Sequence, residues 1–208
     1  MKQRSYRVLL WSLAFCGLAI DQGSKFAVFA WLKPNKTEDG AVVLFQDAHG
    51  HGFRLIAQYR RSERTQQLLL EDGLPVPHVN HGALWGLFRD HKALANAGFA
   101  LISLLAAAAI LYWSRQPATA ADRWLCAALG LILAGTLGNL LDRVIFGGVR
   151  DFLHWDYLFD WPVFNFADCC LVCGAILLLL QALAPRPAAP TEATAVTDCP
   201  DLATASES

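Results

Sequence analysis

Neither sign of charge is in excess in this chain. Seventeen Lys and Arg stand against 18 Asp and Glu, so composition gives no reason to expect nucleic acid or an acidic substrate as a partner. A secreted disulfide framework is also missing. Of the six cysteines, Cys16, Cys126, Cys169, Cys170 and Cys173 fall inside apolar runs, and Cys199 lies in a polar tail, which is not a framework spacing. The CCxxC run at Cys169 to Cys173 has few His or carboxylate neighbours. Packing against lipid accounts for it better than a metal, and no metal is expected. No GxSxG, HExxH or phosphate-cradling glycine loop occurs, so the chain lacks the usual residues of serine hydrolases, zinc peptidases and nucleotide enzymes. No cofactor is implied. No internal repeat is visible either, which weakens a carrier built from paired halves.

What the chain does have is apolar sequence, 55% of its residues, gathered into blocks. They run over about 6–32, 93–113, 124–141 and 164–184, each near the length needed to cross a hydrocarbon core of about 30 Å. Four transmembrane helices in one domain, 1–184, are therefore expected. A loop of about 60 residues, 33–92, separates the first two. Residues 185–208, rich in Ala, Pro, Thr and acidic side chains, read as a disordered cytoplasmic tail. The first block has the basic start of a signal peptide, but a large Phe15 precedes Cys16 and the run continues to Leu32; it is expected to be retained. Lys2, Arg4, Arg7, Arg115, Arg123 and Arg186 fall on one side of a four-span chain, so both termini are expected in the cytoplasm. The cations of the 33–92 loop conflict with this, but long loops translocate largely regardless of charge.

Several polar residues sit where lipid should exclude them. A charge at bilayer depth costs roughly 2.5–3.5 kcal/mol on insertion scales, which makes it a functional-site hypothesis by default. Asn139, Asp142 and Arg143, then Asn165 and Asp168, then Asp21 and Lys25 have the three- and four-residue spacings that share a helix face. All three clusters lie towards the periplasmic ends of their spans. Helix-packing pairs are one reading of Asp21 with Lys25 and of Asp142 with Arg143. A proton relay is another, although the polar residues gather at one side and the second span has almost none. Asp151 and Asp168 fit a packing role less well, since neither has a cation at helical spacing in its own span. Two converging carboxylates share a proton and can activate water while polarising a carbonyl, the chemistry of an aspartyl peptidase. Spacing alone leaves open whether Asp142 or Asp151 partners Asp168. Gly147 and Gly148 are expected to turn the chain between them, and Trp155, Tyr157, Phe159 and Trp161 suit a membrane interface.

In four segments the chain resembles the lipoprotein signal peptidase (signal peptidase II) family. Asp21-Gln22-Gly23-Ser24-Lys25 is similar to its DQxSK motif and Asn80-His81-Gly82-Ala83 to its NxGA motif. Gly138-Asn139 through Asp142-Arg143 to Val149-Arg150-Asp151-Phe152 is similar to its GNxxDR…GxVxDF block, and Phe164 to Asp168 to its FNxAD block. The resemblance implies a mainly α membrane protein with four transmembrane helices, a small periplasmic β-rich cradle and, in this chain, an enlarged first periplasmic loop. It implies a multi-pass monomer of the bacterial inner membrane, active near the periplasmic face. Such an enzyme removes signal peptides from diacylglyceryl prolipoproteins by cutting before the lipidated Cys. The catalytic pair would be Asp151 and Asp168. Asp21, Lys25, Asn80, Gly82, Asn139, Arg143 and Asn165 would line or support the site, and Asp142 would serve as structural support. Three departures stand out: a longer stretch between Lys25 and Asn80, rich in His, Arg and Gln around His49 to Gln67 and placed to enlarge the periplasmic part or cover the site; Val79 where Arg is frequent; and the bulky Leu84-Trp85 after NxGA. A non-catalytic relative that binds lipidated signal peptides is the alternative these departures suggest.

Overall fold

Backbone polar groups in lipid must be satisfied within their own segment, so apolar runs of this length fold as helices. The computed structural model describes residues 5–32, 39–60, 76–81 and 91–184. It has a helix on each expected span: α1 (Arg7–Trp31), α2 (Lys92–Ser114), α4 (Arg123–Phe146) and α5 (Phe166–Leu183). All four are long and apolar enough to cross a membrane. A short α3 (Pro117–Ala121) with Pro at its start links α2 to α4. Asp122 then caps α4, its carboxylate accepting from the N–H groups of Trp124 and Leu125 at 2.9 and 3.0 Å.

Helix α4 is the axis of the bundle. Of its most apolar window 56% is buried, against 17–28% for the other three helices. Leu10 and Ala14 of α1, Ala107 and Ile110 of α2, and Cys126, Leu129 and Leu133 of α4 form one core cluster. Outward, Leu101, Leu105, Val144, Ile145, Ile176 and Leu179 are exposed, while Asp21, Lys25, Asp142, Arg150 and Asn165 are buried. Apolar outside with charges inside is the inverse of a water-soluble bundle and suits a lipid surround.

At the far end from α3 rises a four-stranded antiparallel sheet. Strand β2 (Gly52–Arg60) is central, pairing with β1 (Asp39–Gln46), β3 (Val76–Pro77) and β4 (Leu153–Trp155). Asp47 closes the β1–β2 turn, accepting from the N–H groups of His49 and His51. The long segment after Lys25, set apart as a departure, thus supplies the sheet's central strand. Its part at 61–70, Gly82 and the tail 185–208 lie outside the described residues. A second cluster, Val28 and Phe29 of α1 and Leu32 just past its end with Ala57 and Phe152, seats the sheet on the bundle.

Helix α4 runs to Phe146, a turn beyond the apolar block that ended at Leu141. Gly147 ends it at φ 74°, the left-handed conformation glycine tolerates best, and so makes the expected turn towards Asp151.

Candidate active site

The backbone after Gly147 pairs in two steps that set the first acid in place. Asn80 and Val149 exchange N–H···O bonds at 2.7 and 2.8 Å, and Phe152 and Leu153 donate to the Phe164 carbonyl at 3.0 and 2.8 Å. Asp151 is thereby held between Asn80 on one side and the start of α5 on the other. Asn165 is the N-cap of α5 and Asp168 its third residue, and they form a reciprocal capping box. The Asn165 N–H donates to Asp168 Oδ2 at 3.0 Å and the Asp168 N–H to Asn165 Oδ1 at 3.2 Å.

Three asparagines tie the acids together. Asn165 Nδ2 donates to Asp151 Oδ1 at 2.6 Å and to Asn139 Oδ1 at 3.1 Å. Asn139 Nδ2 donates to Asp168 Oδ1 at 2.8 Å, and Asn80 Nδ2 to Asp151 Oδ2 at 3.0 Å. Every oxygen of both carboxyl groups therefore accepts from an N–H. Both acids are half-buried and line one cavity of about 570 Å³, together with Asn80, Asn139 and Arg143. Burial, and then the nearby charge of Asp168, push the Asp151 carboxyl up to about 6, against the opposing bonds from Asn80 and Asn165. Arg143 Nη1 donates to the Asn139 carbonyl at 3.2 Å, while its Nε is buried with no hydrogen-bond acceptor among the described residues.

Asp21, Lys25 and Asp142 belong to a different group, behind the acids. Lys25 Nζ sits 2.9 Å from Asp21 Oδ2 and 3.5 Å from Asp142 Oδ2. Arg150 closes the set with Nη2 at 2.8 Å from Asp142 Oδ1. Two acids and two bases balance, all with side chains no more than 2% exposed. The network reaches the site at three points. Lys25 Nζ donates to Asn139 Oδ1 at 3.3 Å, Asp21 Oδ1 accepts from the Ala167 N–H at 2.9 Å, and Asp142 Oδ2 accepts from the Arg150 N–H at 2.9 Å. Asp142 thus forms its ion pairs with Lys25 and Arg150 rather than with its neighbour Arg143; the two share a sequence cluster, but Arg143 lines the cavity and Asp142 belongs to the network behind it.

Gln22 and Arg150 stand inside the sequence motifs but were given no role there. Gln22 Nε2 donates to Asp21 Oδ2 and Asp142 Oδ1, while its Oε1 accepts from Arg150 Nη2. The Arg150 guanidinium lies between the rings of Phe26 and Phe146, 4.4 and 4.1 Å from their centroids. For Arg150 the available signal was a cation next to Asp151 inside the Val149–Phe152 run. Cys169 and Cys173, expected to pack on lipid, line the cavity, and Cys170 is buried between helices.

Residues 13–184 match the sequence profile of the family described as Signal peptidase (SPase) II. A lipoprotein signal peptidase from Anaeromyxobacter sp. is 46% identical over 107 residues, 49% of this chain and 50% of that protein. One from Rhodopirellula baltica is 35% identical over 186 residues, 83% of this chain and 70% of that protein. The chain spans about half the length of the first of these relatives. A solved structure described as a bacterial membrane enzyme, determined by the in meso method at 1.9 Å, superposes with a TM-score of 0.63. It is 22% identical, and the match covers 89% of this chain and all of that one.

Proposed function

The chain belongs to the signal peptidase II family, and from that premise we propose that it is an aspartic endopeptidase acting on diacylglyceryl prolipoproteins. It is a multi-pass membrane protein with four spans. The observation that carries the reading is the single cavity lined by Asp151 and Asp168, bridged by Asn165, and continued by Val172 and Cys173 along the apolar surface of α5. A lipid-bearing peptide can reach the acids from the bilayer without leaving apolar surroundings.

In this reading Asp151 and Asp168 share one proton and hold a water between them. Asp151, whose carboxyl is raised to about 6, is the member of the pair that donates the shared proton to the scissile carbonyl oxygen. Asp168, oriented by the N–H groups of Asn139 and Asn165, takes a proton from the water as it attacks. Arg143, with its buried Nε lacking an acceptor among the described residues, offers a cationic donor to the substrate backbone. Collapse of the tetrahedral intermediate passes a proton to the leaving amine and frees the lipidated Cys as a new N-terminus. The two acids remain one coupled system throughout.

Topology follows from charge. Arg7 Nη2 donates to the Arg115 carbonyl at 2.7 Å, so Arg7 and Arg115 gather at the end of the bundle opposite the sheet, as does Arg123 at the start of α4. Positive charge favours the cytoplasm, which puts both termini there and the sheet and acids at the periplasmic face of the inner membrane. In the same proposal the enzyme works as a monomer.

Purified protein given a diacylglyceryl prolipoprotein should release its signal peptide, and Asp151→Asn or Asp168→Asn should remove that activity while leaving a folded protein. Processing at the wild-type rate by either variant contradicts the assignment.

A further inference from the structure

Asp151 borders a second cavity as well. Of about 460 Å³, it shares Asn80, Asp151, Pro162 and Val163 with the first, so the two meet at one carboxylate. Their walls differ in chemistry. The first is bounded by Phe164, Val172 and Cys173, with Trp161 at its edge. The second lies under the sheet, where Gln58 of β2, His78, His81 and Lys92 at the start of α2 line it. Asp151 is the one acidic side chain among its described lining residues. Lys92, the one Lys or Arg among those lining residues, is exposed. His81 Nδ1 meets the Gly147 carbonyl at 2.8 Å; since a carbonyl only accepts, that nitrogen carries hydrogen and Nε2 remains for a ligand.

We propose that this second cavity is the subsite for the first residues of the chain released by cleavage, and that Lys92, flanked by His78 and His81, makes it prefer an acidic side chain over a basic one. The proposal rests on the peptidase reading above. A peptide laid across Asp151 and Asp168 has its scissile carbonyl at the junction and one flank in each cavity. The apolar cavity, continuous with α5, suits the flank that lies in lipid. The reverse direction would press that flank against Lys92 and two imidazoles, stripping water from a charge without a partner. The released chain heads for water, and the cavity beneath the sheet is the polar way out.

The test uses three diacylglyceryl prolipoproteins identical except for Asp, Ser or Lys at the second residue after the modified Cys. Processing by the full-length protein is measured as kcat/KM in detergent micelles. The wild-type protein should prefer the Asp substrate over the Lys substrate by roughly five- to tenfold, the effect of exchanging an attractive for a repulsive pair at a partly exposed site. Lys92→Gln should shrink that ratio towards one, and Lys92→Glu should invert it. Indifference of the wild-type protein to the three residues overturns the subsite, as does a ratio that Lys92→Glu leaves unchanged. Because the wild-type comparison stands by itself, a poorly folding variant does not rescue the idea. Cleavage of none of the three substrates overturns the peptidase reading and the subsite with it, a result distinct from cleavage without charge preference.

Discussion

The side-chain amide of Asn165 donates to Asp151 Oδ1 at 2.6 Å while the same residue caps the helix that carries Asp168. One residue thus ties a loop acid to a helix acid. Helix initiation and site assembly are the same event, because the capping box that starts α5 is built from Asn165 and Asp168 themselves. Asn139 joins from α4, donating to Asp168 and accepting from Asn165. The acids cannot be brought together unless α4, α5 and the Phe152–Phe164 pairing have all formed.

Asn165→Ala should therefore cost activity far more than stability. Loss of the cap is worth about 1 kcal/mol, while removing a preorganised donor at the reacting groups typically costs about 10²–10³-fold in kcat. Turnover of a diacylglyceryl prolipoprotein, measured beside the thermal unfolding midpoint in detergent, separates the two effects. Wild-type turnover in a destabilised variant would mean that Asn165 is only a cap.

The raised Asp151 carboxyl makes a prediction about pH. Its ordinary value is 3.8 and in the fold it rises to about 6. Between these values the native state binds more protons than the unfolded chain, so stability falls as pH rises through this window. Above about 6 the cost of the ionised group is complete. Two units correspond to about 3 kcal/mol, nearer 2 once solvent screening at a half-buried carboxyl is allowed for. Relative to the wild-type protein, Asp151→Asn should gain about 2 kcal/mol of stability between pH 4 and pH 7, read from unfolding midpoints at each pH. A pH-independent difference would show that Asp151 is not strained by its surroundings.

How much of this was legible beforehand depended on how local the cause was. The four spans follow from apolar runs, and the Gly147 turn from a residue that tolerates positive φ. The end of α4 did not follow, because Asp142 looks like the edge of an apolar block until its partners are known. Those partners, Lys25 and Arg150, come from another helix and from the loop beyond, and no window of sequence contains both. The central strand β2 was hidden in the same way: its register with β1, β3 and β4 is set by pairing across up to about a hundred residues. The cavity wall was closer to hand. Val172 stands four residues from Asp168, and Cys169 and Cys173 adjoin that face, so helical spacing alone would have pointed them at the acids.

The buried network of Asp21, Lys25, Asp142 and Arg150 should tolerate no single loss. Lys25→Met leaves two carboxylates facing one guanidinium, and breaking a buried pair in this way costs about 3–5 kcal/mol. Asp21→Asn combined with Lys25→Met restores the balance with Asp142 and Arg150 alone and should recover part of the loss. Gly138→Ala tests the same packing from the other side, since its Cβ would lie 2.5 Å from Asp21 Oδ2. Unfolding midpoints are the measurement. A Lys25→Met protein as stable as wild type would mean that the network is open to water.

Cys173 tests whether substrate occupies the lipid-facing part of the cavity. It lines the wall one turn beyond Cys169, away from the carboxyl groups and exposed on α5. Cys173→Trp fills that space without touching Asp151, Asp168 or the three asparagines. Overpacking of about 1–3 kcal/mol against a bound acyl chain or signal peptide should lower kcat/KM about tenfold or more, mainly through KM. Cys173→Ala, which enlarges the cavity, should process normally. The pair of variants, assayed on one prolipoprotein, decides the matter. If Cys173→Trp matched the wild-type kcat/KM, substrate would have to reach the acids without passing along α5, and the bilayer-side approach proposed for the lipidated peptide would be wrong.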